Sequence, residues 1–174
     1  MKTIAISGYS GSGKTTLIEK VIPALVMEGL KVSLIKHAHH EFDLDHPGKD
    51  SWRHREAGAS EVMVASSRRW ALMHELRGEP EPSLDELLQH LAPCDLVIIE
   101  GWKFNTLPKV EVHRKLADKP LLFPQDRNVV AVATDETLAT DLPQFALDDG
   151  DGVAQFIMRF LGLRRNALHV VKGG

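Results

Sequence analysis

Residues 8–15 read G-x-x-x-x-G-K-T and lie between two short apolar segments. The preceding segment, 3–7, is β-prone, and residues 16–22 carry apolar side chains at helical spacing. A glycine-rich loop between a strand and a helix is the Walker A, or phosphate-binding, loop. Its glycines let backbone N–H groups turn toward phosphate oxygens, and the helix N-terminus adds positive field. The motif therefore predicts a P-loop NTPase fold that binds a purine nucleoside triphosphate.

Roles within this loop follow from residue type. Lys14 is expected to reach the β- and γ-phosphates, and the Thr15 hydroxyl to bind Mg²⁺. An ordinary glycine turn before a helix is the competing interpretation, which the flanking strand and helix disfavour. The loop residues predicted to contact nucleotide are Gly8, Ser10, Gly11, Ser12, Gly13, Lys14, Thr15 and Thr16.

Size and composition limit the class of protein. A chain of 174 residues is expected to form one nucleotide-binding domain, 1–174. The formal charge of -3 gives no general attraction to nucleic acid or anionic membranes, so neither is expected as a partner. The single cysteine, Cys94, excludes an internal disulfide and fits a reducing compartment. Because neither a membrane-length apolar run nor a signal pattern is found, we expect a cytoplasmic protein.

Strand-like and helix-like segments alternate along the chain. We expect strands at about 3–7, 31–36, 61–66, 70–74, 95–99, 107–112 and 128–133, and helices at about 14–28, 51–57, 83–91 and 152–161. Ser83 and Glu86 have the spacing of a capping box, and 164–171 is ambiguous, with a short terminal strand as one interpretation. The alternation predicts an α/β fold, a mostly parallel sheet with helices on both faces.

A second nucleotide element is the apolar run 96–99, which ends in Glu100 and Gly101. An acid at the carboxyl end of a strand beside a phosphate loop binds Mg²⁺ directly or through water. We therefore predict that Glu100 is both the catalytic residue and a metal ligand, and that Gly101 brings the backbone close to the phosphates. Asp is commoner than Glu here, and an apolar strand that merely ends in an acid is the competing interpretation.

Five of the nine histidines lie between His37 and His54. A solvated loop and a zinc site are two interpretations, although the spacing lacks a closed four-ligand pattern and the one cysteine is isolated. A third interpretation is a nucleotide-responsive switch, because the loop follows the second strand at the sheet edge where ligands bind. In that interpretation Asp50 or Asp45 would join the Mg²⁺ shell, and Lys49 would contact phosphate or an anionic partner.

The sequence contains only a weak signal for recognition of the nucleotide's purine base. The guanine-reading motif N-K-x-D is missing, but Asp135 ends a late strand where that motif would lie. We predict that Asp135 accepts hydrogen bonds from a guanine edge. Since no water-orienting glutamine is evident, any hydrolysis is expected to be slow.

Three segments are more informative together than singly: the phosphate loop 8–17, the stretch 36–59 that contains P-G-K-D-S, and I-E-G-W-K followed by P-K-V-E-V within 98–112. Together they resemble the MobB family of molybdopterin-guanine dinucleotide biosynthesis adaptor proteins. The phosphate loop is shared with many families, whereas the other two segments are far more specific. The resemblance covers about residues 1–135.

This resemblance implies a GTP-binding adaptor with weak GTPase activity at most, with GTP and Mg²⁺ as cofactors. It implies a homodimer that works beside the guanylyltransferase MobA, which attaches GMP to molybdopterin, and it makes molybdopterin a further candidate ligand. The family role is to deliver or stimulate, not to form the dinucleotide bond. By matching segments, residues 11–16 would hold phosphates, Glu100 and Gly101 would form the metal edge, and Lys49 and Asp50 lie in the matching loop.

Two other functional classes remain open. A small-molecule kinase would use the same bound triphosphate and would need an arginine-bearing lid, for which Arg68, Arg69 and Arg114 are candidates. A nucleotide-independent interaction module would use the loop only for stray anions. A phosphate-transfer assay and a nucleotide titration with Mg²⁺ distinguish these classes from the adaptor.

Overall fold

The computed structural model describes residues 1–38 and 42–164. The chain divides into two compact units, Met1–His37 with Leu91–Gly174, and Ala38–His90. His39, His40 and Glu41 of the histidine-rich loop, and all but the first residue of the ambiguous segment 164–171, lie outside the described residues. The single domain 1–174 stays a prediction.

The helices and strands begin and end within two residues of the predicted positions. In chain order they are β1 (Lys2–Ser7), α1 (Lys14–Met27), β2 (Val32–Lys36), α2 (Asp50–Glu56), β3 (Glu61–Ala65), β4 (Trp70–His74), α3 (Leu84–Gln89), β5 (Leu96–Glu100), β6 (Lys109–His113), β7 (Val129–Thr134), β8 (Gln144–Ala146) and α4 (Gly150–Leu161). The exception is β8, a three-residue strand that the sequence pattern did not predict. No described helix has the length and apolarity needed to cross a membrane.

A six-stranded sheet in the order β2-β5-β1-β6-β7-β8 forms the centre of the first unit, and every pairing in it is parallel. The predicted α/β class with a mostly parallel sheet, like that of P-loop NTPases, is confirmed. Because parallel strands all end at the same edge, the segments that follow β1, β2, β5, β6 and β7 meet there. This edge of the sheet is its carboxyl edge.

Helices α1 and α4 pack on one face of this sheet. Helix α1 forms because Leu17, Val21 and Leu25 recur at helical spacing, and all three are fully buried against β1 residues such as Ile4 and Ile6. Each such side chain contributes roughly 1.5–3 kcal/mol by leaving water. The buried helix thus fixes the glycine loop that precedes it relative to the sheet.

The second unit contains α2, the antiparallel hairpin β3–β4 and α3. The predicted capping box is confirmed, because the Glu86 N–H donates to Ser83 Oγ and the Ser83 N–H donates to the Glu86 carboxylate. Within this unit, the Arg55 guanidinium donates to Glu75 at 2.7 Å and to Asp43 at 2.9 Å. Arg55 therefore links parts of this unit through its hydrogen bonds and is not merely a solvated surface residue.

Candidate nucleotide-binding site

The glycine loop follows β1 directly and enters α1 at Lys14. Gly11 and Gly13 have φ values of 80° and 99°, a left-handed backbone that favours glycine. Gly8 packs so closely on β6 that a Cβ atom there would collide with the main-chain oxygen of Val112. The spacing of the motif's glycines thus has a local steric cause in this chain.

Ser12 supplies a polar group inside the loop. Its side chain is buried, with 2% exposure, and its Oγ has no hydrogen-bond partner among the described residues. Buried hydroxyl groups are nearly always hydrogen-bonded, so such an atom within a phosphate-loop motif fits a ligand oxygen. This observation supports the prediction that Ser12 contacts phosphate.

Lys14 folds over the start of the loop. Its ammonium group donates to the main-chain oxygens of Gly8 at 3.0 Å and Tyr9 at 2.9 Å. Burial lowers the pKa of Lys14; Glu100 acts in the opposite direction, and Lys103 and Lys36 lower it further. The lysine therefore lies in a cluster of positive charge at the carboxyl edge.

Glu100 lies at the end of β5, in register with Ile6 of β1, and is 5% exposed. The Thr15 hydroxyl donates to its Oε1 at 2.7 Å, and the Lys36 ammonium lies 3.6 Å from the same atom. A hydroxyl and a carboxylate oxygen side by side are the hard ligands that Mg²⁺ uses while it keeps several waters. The residues present therefore fit the predicted metal, which Thr15 and Glu100 would hold.

Gly101 turns the chain away from the sheet with a φ of 94°, and its carbonyl accepts a 3.0 Å hydrogen bond from Ser7 Oγ. Trp102 follows in a left-handed conformation with a φ of 46°. Its ring stacks on that of His37, with centroids 4.6 Å apart. The segment after Glu100 is thus folded back along the carboxyl edge.

Lys103 comes next, and its ammonium lies 4.3 Å from the centroid of the Tyr9 ring. Lys109, at the start of β6, is fully buried. Its ammonium donates to the main-chain oxygens of Lys103 at 2.8 Å and Asn105 at 2.7 Å, and also to the Asp126 carboxylate. Lys109 therefore ties the segment after Glu100 to the sheet.

Asp135 follows β7 at the same edge, as predicted, and is exposed. One carboxylate oxygen accepts a 2.8 Å hydrogen bond from the Lys115 N–H. Arg114, a candidate for the kinase interpretation, places Nη2 3.4 Å from the position of an ideal Cβ on Gly13. Its guanidinium group forms no hydrogen bond or ion pair with the described residues. Arg114 therefore lies beside the phosphate loop, next to the open side of Gly13.

Lys49 and Asp50 belong to the second unit, at the start of α2. Asp50 has a 91% exposed side chain and lies 3.9 Å from Arg53, a contact typical of surface charge. Asp45 accepts a 3.0 Å hydrogen bond from Ser51 Oγ. The roles of Lys49 and Asp50 toward phosphate and Mg²⁺ stay predictions.

Within residues 1–38 and 42–164, no group of three or more His, Cys, Asp or Glu side chains is arranged to hold a metal ion. The zinc interpretation of the histidine-rich loop is not decided by this, because His39 and His40 lie outside the described residues. The Mg²⁺ prediction rests on different atoms, the Thr15 hydroxyl and the Glu100 carboxylate.

Sequence reasoning missed Lys36 and Lys103 as site residues. Both lie within recognised segments, but nothing in the linear pattern places them beside Lys14. Lys36 ends β2, which pairs with β5 so that Lys36 lies opposite Glu100. Only the strand order β2-β5-β1 indicates that Lys36, at the end of β2, and Lys103, after the end of β5, lie near the glycine loop that follows β1.

Known proteins resemble this chain in sequence over most of its length. The sequence model of the family described as "MobB: Molybdopterin guanine dinucleotide synthesis protein B" matches residues 3–135. The chain is 46% identical over 162 residues to a molybdopterin-guanine dinucleotide biosynthesis adapter protein of Haemophilus influenzae, covering 91% of this chain and 88% of that protein. It is 41% identical over 161 residues to the Escherichia coli protein of the same name, covering 91% and 92%.

Solved structures agree with this assignment. The crystal structure of a molybdopterin-guanine biosynthesis protein B is similar with a TM-score of 0.73 and 30% identity, covering 91% of this chain and 99% of that one. A MobB homolog from Bacillus stearothermophilus has a TM-score of 0.71 and 30% identity, covering 94% and 100%. The fold, the family segments and the sequence identity converge: this chain belongs to the MobB family.

Proposed function

We propose that this protein is an adapter in molybdopterin guanine dinucleotide biosynthesis that binds GTP with Mg²⁺ and hydrolyses it slowly. The relatives' names support the pathway. One observation gives the strongest support to the proposal of nucleotide binding: the Thr15 hydroxyl donates a 2.7 Å hydrogen bond to Glu100 beside the glycine loop. That bond brings together the two oxygen ligands that a P-loop nucleotide site requires.

In the proposed complex, the loop's N–H groups and the Ser12 hydroxyl hold phosphate oxygens, and Lys14 neutralises their charge. Mg²⁺, when bound, would supply positive charge at the phosphates from its position beside Thr15 and Glu100. Glu100 orients water near the site, directly or through the metal shell. Asp135, exposed at the same edge, is proposed to accept hydrogen bonds from guanine.

Slow hydrolysis of GTP fits an adapter protein better than an enzyme that itself forms molybdopterin guanine dinucleotide. We propose that the protein assists the guanylyltransferase that joins GMP to molybdopterin and does not form that bond itself. Phe104, which lies in the segment after Glu100, is 86% exposed and is a candidate anchor for that partner. Since the single cysteine favours a reducing compartment, the proposed location is the cytoplasm.

A homodimer is proposed for the same protein. On the hairpin β3–β4, Met63, Val64, Trp70 and Leu72 are exposed by 60%, 48%, 64% and 39%. Apolar groups of this size on one short hairpin are typical of an interface. A second copy of the chain is the proposed occupant.

Calorimetric titration with GTP, ATP and GDP in the presence of Mg²⁺ tests the nucleotide proposal. The intact protein should prefer GTP to ATP, and Lys14→Ala should lose triphosphate binding while its circular dichroism spectrum is unchanged. Loss of this charge partner is expected to cost roughly 2–5 kcal/mol of binding free energy. Lys31→Ala, an exposed lysine before β2 at the opposite sheet edge, is the matched control. Unchanged triphosphate affinity in Lys14→Ala would contradict the proposal.

A further inference from the structure

Three ammonium groups, those of Lys14, Lys36 and Lys103, lie close together at the carboxyl edge. Lys36 is 3.6 Å from Glu100, the Lys14 ammonium donates to the Tyr9 main-chain oxygen at 2.9 Å, and the Lys103 ammonium lies 4.3 Å from the centroid of the Tyr9 ring. Among the described residues, Glu100 is the only carboxylate ion-paired with any of the three. Positive charge is therefore in excess here, and an anion with more than one negative charge would balance it.

Lys103 has a weak partner in the structure. Its ammonium lies over the Tyr9 ring, 4.3 Å from the centroid, and Tyr9 is the second residue of the glycine motif. A phosphate oxygen is a stronger partner for an ammonium group than the face of a tyrosine ring. Lys103 can therefore exchange the ring for a phosphate without leaving the loop.

The position of Lys103 along the loop indicates which phosphate it meets. The Lys14 ammonium donates to the oxygens of Gly8 and Tyr9, so Lys14 and Lys103 share the same end of the glycine loop. In this motif the lysine reaches the β- and γ-phosphates. An ammonium group beside Lys14 and Tyr9, close in sequence to Glu100, would therefore face the terminal phosphate of a bound triphosphate.

The backbone that carries Lys103 is also held in place. The buried Lys109 ammonium donates to the carbonyl oxygens of Lys103 and Asn105, and Asn105 Nδ2 donates to the Trp102 oxygen at 2.6 Å. The backbone of 102–105 is thus fixed by hydrogen bonds to a fully buried group. Pre-positioned charge contributes more to recognition than charge on a free loop, because less ordering is needed on binding.

We propose that Lys103 binds the terminal phosphate of the bound nucleoside triphosphate, and that Lys109 is the residue that positions it. This inference rests on the proposed function and deepens it. It gives the site a contact to the terminal phosphate alone, which would favour a triphosphate over a diphosphate, whereas Lys14 also contacts the β-phosphate that both nucleotides share.

The test is titration with Mg²⁺ and either GTPγS or GDP. Lys103→Gln is expected to weaken GTPγS binding by about 10-fold or more and GDP binding by less than about 3-fold. Lys103→Arg should retain the preference for GTPγS, since the charge is kept. Lys31→Gln makes the same charge change at the opposite edge of the sheet and should alter neither affinity.

Lys109→Met tests the positioning role. It should reduce the preference for GTPγS over GDP in a protein that still binds GDP, and it should add little to that loss when combined with Lys103→Gln. A merely structural role would weaken both nucleotides alike and would be additive with Lys103→Gln. The Lys103 variants test the phosphate contact even where Lys109→Met does not fold.

The outcomes separate the two proposals. An unchanged ratio of GTPγS to GDP affinity in Lys103→Gln overturns the inference while the GTP-binding function stands. Equal loss for both nucleotides also overturns it, because the contact would then be to a shared phosphate. Intact protein that binds neither nucleotide would instead contradict the proposed function, and the inference with it.

Discussion

The Thr15 hydroxyl donates a 2.7 Å hydrogen bond to Glu100 Oε1 across 85 positions of sequence. The contact exists because β1 and β5 are parallel neighbours, so the helix that follows β1 begins beside the end of β5. It joins two motifs that are far apart in the sequence. Their chemistry is therefore that of one site.

Glu100→Gln is expected to lower GTP turnover at saturation by about 10-fold or more, while GTP affinity changes by less than about 3-fold, because water and metal orientation matters most in the transition state. Phosphate release and calorimetry measure the two quantities. Glu19→Gln, an exposed residue of α1, is the matched control. A large affinity loss with normal turnover at saturation would refute the catalytic assignment.

Much of the fold and part of the site were predictable from the sequence. The element bounds follow from apolar periodicity, and the glycine loop follows from local residue types, as Lys14 and Thr15 illustrate. Strand order is set by long-range pairing that periodicity does not report. For this reason Lys36, which lies opposite Glu100, and Lys103, which lies over Tyr9, were not predicted as site residues.

Lys109→Met is expected to lower the free energy of unfolding by about 2–4 kcal/mol, because two carbonyl groups and a carboxylate lose a charged donor. Urea denaturation measures this loss. Lys109→Met with Asp126→Asn should be more stable than the single variant, since the unpaired carboxylate is removed. Lys119→Met, at an exposed position, should change stability little. A near-neutral effect of Lys109→Met would contradict the assigned role.

The raised pKa of Glu111 predicts that the stability of the protein depends on pH. Burial raises the pKa of this carboxyl above its ordinary value of 4.5, although the N–H groups of Leu122 and Phe123 donate to it. As pH rises from about 4.5, the unfolded chain loses this proton before the folded protein does, so the unfolded state binds fewer protons and stability falls. The contribution of Glu111 to the free energy of unfolding is fully present below the pKa that this carboxyl has in the unfolded chain. It is lost as pH rises through the higher pKa that the carboxyl has in the folded protein.

Urea denaturation between pH 4 and pH 7, on the intact protein and on Glu111→Gln, measures this dependence. Groups common to both proteins cancel in the difference between their unfolding free energies. That difference should move in favour of the variant as pH rises through the window. A difference independent of pH would indicate that Glu111 has an ordinary pKa.

Trp70→Lys is expected to shift the protein toward the monomer, because a charge would replace the largest exposed apolar side chain of the hairpin. Light scattering after gel filtration measures the mass, and GTP titration should remain unchanged if the fold is intact. Arg69→Lys, in the adjacent turn, keeps the charge and serves as the control. A dimer that persists in Trp70→Lys would place the interface elsewhere.

The close packing of Gly8 on β6 limits which second mutations could rescue a substitution at this position. A methyl group at this position would strike a backbone oxygen of β6, and no substitution elsewhere removes a backbone oxygen. Overcrowding against a side chain is relieved by a smaller neighbour, whereas this collision is relieved only by moving the strand. Suppressor screens that start from Gly8→Ala should therefore return revertants to glycine and not compensating changes at a second site.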